Sequence, residues 1–545
     1  DTFNTAVGFE AGNDITTGLR NNFIGGLAGD ATTDADDNIA LGYNALGANT
    51  VGSRSVAVGT DALATQNPAT ATDMYNTAVG YDAGQEITTG LRNTLIGGLA
   101  GDALTDADNN VAIGQAALST DTLGSNSVAI GRNALLIQNF TTATNAYNVA
   151  IGSDAGAAVT TGEGNTFVGG LAGSTLTNAD FNVAVGKNAL RLDTLGSFST
   201  AIGINALELQ NLTTATNSYN TAVGALAGAA VTTGVSNTLI GGLAGDALTD
   251  ADYNVAVGFS ALSTSQLGSR STAIGHEALK FENPATATDM YNTAVGFNAG
   301  NVVTTGTQNT LIGGLAGDAL TTPANNVAVG YNTLSTDTQG SASVAIGVSA
   351  LTAQNFTTAT DVYNTAVGAN AGASVTTGFQ NTYIGGLAGD AATASVENVA
   401  VGYQALSADT LGSKNVAVGR MALLSQNFTT AHDAYNVGVG HNAGQQITTG
   451  TQNTLIGGLA GDALTATDYN TAVGYGALSS DTLGARNTAV GQEALGTQNF
   501  TTATNSYNTA VGMQAGRLVT TGQSNTLIGA LCGDSLTTGT NNVGV

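Results

Sequence analysis

The sequence predicts an all-β fold, a single continuous parallel β-solenoid over residues 1–545, on three observations. The pattern Tyr/Phe-Asn-(Thr/Val)-(Ala/Gly)-Val/Ile-Gly starts repeats at Asn4, Asn76, Asn148, Asn220, Asn292, Asn364 and Asn436 and a partial one at Asn508, an interval of 72 residues each time. Each interval divides again into coils of 17, 17, 17 and 21 residues, so the first repeat also holds Asn21, Asn38 and Ser55 in the same phase. No apolar stripe of period 3.6 lasts over three turns, and Gly returns too often for helix. A unit this short is no domain; it has the length of one solenoid coil.

Each position of the coil has a physical reading. The first is Asn in 26 of 31 copies and Ser in five. Stacked about 4.8 Å apart, these amides are expected to form a structural ladder, each donating to the next and accepting from the one before. Asn4, Asn21, Asn38, Asn76, Asn93 and Asn110 are its first members. The second and fourth positions are mostly Thr, Val, Ile or Leu, a β-branched pair on one face of a short strand. Gly follows in all 30 complete copies and permits a sharp corner, after which a small Ala turns inward, replaced only at Thr333 and Cys532.

The third position is Ala or Gly in three coils, but in the second it is large, as at Phe23, Leu95, Phe167 and Tyr383. A following Gly, as in Gly25-Gly26, is expected to leave room for it. Both strand faces then read as apolar, while a thin solenoid has one interior. Strands apolar on both faces are usually covered on both. Association with other copies, most simply a closed homotrimer, is therefore expected through the face of Ala6, Phe23 and Leu95.

Composition agrees with thin stacked layers and excludes several functions. Gly supplies 75 residues, Trp none and Pro three, so a core of large side chains is not on offer. The net charge of −26 leaves no basic patch for nucleic acid or an anionic membrane, and no apolar run is long enough to span a bilayer. The single cysteine, Cys532, forms no intrachain disulfide and reads as a small buried apolar residue.

Ser127-Val128-Ala129-Ile130-Gly131, Ser343-Val344-Ala345-Ile346-Gly347 and Asn415-Val416-Ala417-Val418-Gly419 resemble the head repeats of trimeric autotransporter adhesins of the Yersinia adhesin type. They are similar also to repeats of phage tail-fibre shafts. The resemblance runs the whole chain, in 31 in-phase copies. It implies a left-handed parallel β-roll, trimeric, whose outer surfaces bind host matrix, cells or receptors. The coils here are longer than that family's, and neither a heptad stalk nor an anchor barrel lies within these residues.

Candidate sites are few. The longer fourth coil carries Gln138-Asn139-Phe140-Thr141-Thr142-Ala143-Thr144 and its equivalents, a comb of loops. Phe140, Phe356, Phe428 and Phe500 are either outward apolar contacts or aromatics packed onto a neighbouring coil or chain. Asn139, Asn211, Asn355, Asn427 and Asn499 spell Asn-x-Thr, glycan acceptors only in a eukaryotic secretory route. Asp102, Asp106 and Asp108 recur in the second coil's turn and raise the question of calcium, but equivalent turns lose the acids and no twelve-residue loop closes on Glu. Solvated turns are the expectation, with no cofactor. The histidines are His276, His432 and His441, and with His276 and His441 about nine coils apart they assemble neither a metal cluster nor a catalytic arrangement.

The functional expectation is a structural or adhesive fibre segment, extracellular, on a cell surface or virion. Its repeated loops would meet a host-surface protein or glycan. A phage tail-fibre shaft or a self-assembling filament with no receptor is the alternative. A polysaccharide depolymerase needs a unique cluster of acids and bases, which strict periodicity does not offer. An ice-binding face needs Thr in every coil, whereas Thr160-Thr161 and Thr213-Thr214 recur once in four. Neither end carries a cap, so further repeats, dedicated caps or end-to-end joining are expected.

Overall fold

A computed structural model describes residues 2–545. The described residues form an all-β parallel solenoid with no helix. Two compact units are present, Asp1–Arg270 with Pro284–Thr288, and Ser271–Asn283 with Asp289–Val545. Both are built the same way.

In the first unit the opening repeat holds β1 (Thr5–Val7), β2 (Asn22–Ile24), β3 (Ile39–Leu41), β4 (Gly52–Ser53), β5 (Val56–Val58) and β6 (Thr72–Asp73). The long strands pair parallel in strict register, with Ala6 opposite Phe23, Phe23 opposite Ala40 and Ala40 opposite Ala57. β5 then pairs with the first strand of the next repeat, Ala57 opposite Ala78, although 21 residues separate them. β4 pairs with β6, so the four extra residues of the fourth coil leave the stack as a loop without shifting its register. The second unit repeats the arrangement, with Ala294, Leu311, Ala328 and Ala345 in one row.

The core corrects the expected assignment of strand faces. Ala6 is exposed in the first coil, but Phe23, Ala40, Ala57, Ala78 and Leu95 are wholly buried inside the single chain, and the β-branched second and fourth positions point outward. The third position is thus the interior, and no other copy is needed to bury Phe23 or Leu95. Tight corners explain the inversion. A 17-residue coil leaves a lumen only wide enough for Ala on most strands, so the β-branched pair stands outside.

Room for the large residue also comes from a different place than expected. A Cβ on Gly12 would lie 2.8 Å from Phe23, and one on Gly29 2.7 Å from it. Gly12 and Gly29 therefore give Phe23 its space, and Gly26 lies outside, 3.5 Å below Tyr43 on the same measure. In the third and fourth coils the same position is Leu46 and Leu63, buried over strands that carry only Ala. The second coil thus sets its large strand residue with Gly29, the third and fourth set Ala with Leu46 and Leu63, and the first, with Ala6 and Gly12, leaves its space to Phe23 of the next coil.

The Asn ladder is present, but built from side chain to backbone. The Asn4 Oδ1 accepts the Asn21 backbone N–H at 2.8 Å, Asn21 accepts that of Asn38 at 2.9 Å, and Asn38 that of Ser55 at 2.8 Å. Asn76, Asn93 and Asn110 continue it, at 2.9, 2.9 and 2.8 Å. Each Nδ2 donates instead to a carbonyl of its neighbouring coil, Asn21 to Ala35 at 2.7 Å and Asn93 to Ala107 at 2.8 Å. Amide-to-amide contacts are the long ones, 3.3 Å between Asn93 and Asn76. Where Ser interrupts the column, the buried Gln138 supplies the missing amide, accepting from Asn148 at 2.9 Å and donating to Ser127 Oγ at 3.1 Å.

Corner glycines close each strand. Gly25 sits at φ +137°, and a Cβ there would meet the Gly42 carbonyl oxygen at 2.3 Å. Only Gly tolerates both the dihedral and the approach.

Candidate functional site

With the third position turned inward, each unit presents a continuous outward strand face. Its two inner columns are the β-branched positions, where Ile24, Ile96, Ile240, Ile312 and Ile456 are each about two-fifths exposed. Two further columns border it. One is the residue before the ladder, held in the left-handed region, as at Arg54 (φ 62°) and Tyr75 (φ 55°). The other is the residue after the corner Gly, where Tyr43 and Tyr81 are more than half exposed. Exposed apolar residues thus recur on this face in coil after coil.

The border columns also segregate charge. Of the 12 Lys and Arg, nine stand in them: Arg20, Arg54, Arg92, Arg270, Lys414 and Arg486 before the ladder, and Arg132, Lys187 and Arg420 after the corner. Of the 38 Asp and Glu, only Asp37 and Glu397 do. In a chain of net charge −26, this face is the part that does not repel an acidic neighbour. Several of these cations are held over aromatic rings, Arg54 at 5.6 Å from the Tyr75 centroid, Lys414 at 5.4 Å from Tyr435 and Arg486 at 4.6 Å from Tyr469. Asp433 and then Tyr435 hold the Lys414 ammonium up at about 12. Elsewhere in the column Phe181, Phe198 and Tyr219 stack at 5.3 and 5.5 Å.

The sequence reading missed this face because it weighed each coil along the chain. Aligning the coils on their corner Gly and counting charge by column would have found it.

The loop phenylalanines are corrected as outward contacts. Phe140, Phe356, Phe428 and Phe500 are buried, leaving Thr141, Thr142 and Ala143 as the exposed part. A buried carboxylate fastens the loop: Asp121 accepts from Gly124 N at 3.0 Å, Phe140 N at 3.1 Å and Gln138 Nε2 at 2.6 Å. Burial pushes its carboxyl up despite those donors. The Asn139 side chain accepts from Thr122 at 3.1 Å.

Asp102, Asp106 and Asp108 do not converge. Asp106 accepts from Thr89, Asp108 from the Leu91 N–H at 2.7 Å, and half-buried Asp102 is pushed up to about 6 by desolvation and by Asp82 and Glu86. Among the described residues no group of three His, Cys, Asp or Glu is placed to hold a metal ion. His276 stacks on Phe297 and His432 on Phe428, while His441 lies 3.3 Å from Arg420. Cys532 is half-buried.

Thr is more continuous than the pairs suggested. Thr16 donates to the Thr33 carbonyl, Thr33 to that of Thr50, and Thr50 to Asn67, at 3.1, 3.1 and 2.7 Å. The column runs through three coils in four, its hydroxyls tied to the next coil. No described helix is long and apolar enough to cross a membrane. Comparison with protein-family models and with curated proteins finds no match.

Proposed function

We propose that the chain is a structural and adhesive fibre segment, extracellular on a cell surface or virion, in which copies associate as a homotrimer through the outward strand face. One observation carries this reading: an outward strand face whose fourth position is Val, Ile or Leu in coil after coil and whose second is mostly Thr or Val, bordered by columns that hold nine of the 12 cations of a strongly acidic chain. Each unit contributes fifteen three-residue strands. At about 4.8 Å per strand and roughly 20 Å across the four columns, its footprint is about 1,400 Å² per unit. A standard interface takes about 800 Å² from each partner.

Three copies meeting on these faces leave the acidic turns and the Thr-rich loops outside. The trimer and its handedness rest further on the resemblance to autotransporter adhesin heads. Calcium has no part in this reading, and repeated loops would face a host-surface protein or glycan. Electron micrographs of the purified chain test it. Unbranched fibres of constant width are expected. Globular particles, or turnover of a polysaccharide, would reverse it.

A further inference from the structure

In the second unit one place breaks the sameness of the 72-residue repeats. A surface depression of about 330 Å³ is bounded by Tyr475, Ser479, Glu493, Thr497 and Arg517. Two glycines open it. Gly476 stands where the six earlier repeats carry side chains such as Asn44 and Gln404, and Gly496 where they carry residues such as Glu208 and Leu424. A Cβ on Gly476 would lie 3.6 Å from the Glu493 Cγ and 3.8 Å from the Ser479 Oγ, so any side chain there fills the depression.

The chemistry of the lining is also particular to this repeat. Arg517 replaces Gln85, Ala157 or Gln445 at its position. Its Nε is buried and has no acceptor, whereas its backbone carbonyl accepts from Thr497 Oγ1 at 2.6 Å. An unsatisfied guanidinium N–H favours an anionic acceptor, and a carboxylate fits the guanidinium fork. Glu493 accepts from Gln514 Nε2 at 2.9 Å through Oε2, which leaves lone pairs for a ligand's hydroxyls. Tyr475 offers a ring face, more than half exposed, beside them. A volume at the lower end of small-molecule sites, with few polar groups and one aromatic wall, suits one ring-sized ligand.

We infer that this depression binds one acidic pyranose, its carboxylate on Arg517, its hydroxyls on Glu493 and Ser479, and its ring against Tyr475. The inference gives the glycan-attachment part of the reading above its ligand class, and rests on that reading for its purpose.

The test is saturation-transfer NMR on the full chain with D-glucuronate, N-acetylneuraminate and D-glucose. At least one acid is expected to bind saturably, tenfold or more tighter than glucose. Arg517→Gln should weaken it tenfold or more. Gly476→Asn with Gly496→Leu, residues that other repeats carry at these positions, should abolish it while leaving the far-UV spectrum unchanged. No saturable binding of either acid, glucose binding as well as the acids, or binding that survives both variants overturns the proposal. Sedimentation of the same samples keeps the two readings apart: a trimer that binds no acid retires only the site, and a monomer that binds it retires only the fibre.

Discussion

At the scale of single residues the coil depends on groups that have no substitute. Gly25 is one, because a Cβ would collide with the Gly42 carbonyl at an angle closed to other residues. Gly25→Ala is expected to cost about 3 kcal/mol, read as earlier unfolding in urea; an unchanged midpoint would show that the corner has slack. Glu282 stands where six repeats hold Gln. It is fully buried, accepts from Ser271 Oγ at 2.8 Å and Asn292 Nδ2 at 2.9 Å, and desolvation pushes it up to about 7. Its folded value lies above the unfolded one, so its contribution is fully present below about pH 4.5, falls as pH rises, and is lost above about 7. The loss is roughly 3 kcal/mol. Glu282→Gln should remove that slope, raising the melting temperature at pH 8 and not at pH 4. Equal shifts at both would assign the effect to packing.

At the scale of the coil, period and register were legible in the sequence, because a 72-residue interval without insertion leaves few ways to stack the strands. Which face is inside was not. Hydrophobicity points to Val and Ile, but the lumen admits Ala, and bulk arrives from Phe23 in the second coil and from Leu46 and Leu63 in the third and fourth. The ladder's location was legible and its bonding was not, since Asn offers an acceptor equally to a neighbouring amide and to a backbone N–H. Gln138, in the long loop, and Asp121, in the turn of the coil before it, escaped notice because a polar residue in a loop or turn ordinarily faces water, whereas these two are buried to hold the loop. Phe140 completes that small core, so Phe140→Ala is expected to destabilise its repeat by about 3 kcal/mol. Hydrogen exchange should then rise in residues 138–146 and their neighbouring coils. Exchange that stays as slow as in the parent would put the aromatic outside the loop's core.

At the scale of the whole molecule, strict repetition turns a weak local preference into a large one. A pair of β-branched residues two-fifths exposed is ordinary on any surface, but fifteen in register within one unit make an interface-sized face. Nine cations beside it, in a chain of net charge −26, make it the face that an acidic surface meets with least repulsion. The measurement closest to that claim is the sedimentation mass of the full chain beside a variant with Ile312, Ile384 and Ile456 changed to Lys. The parent should sediment at about 161 kDa, three times the 53.7 kDa chain, and the variant at the single-chain mass with its far-UV spectrum intact. A parent that sediments as one chain at micromolar concentration, or a variant that keeps the parent's mass, would contradict the account.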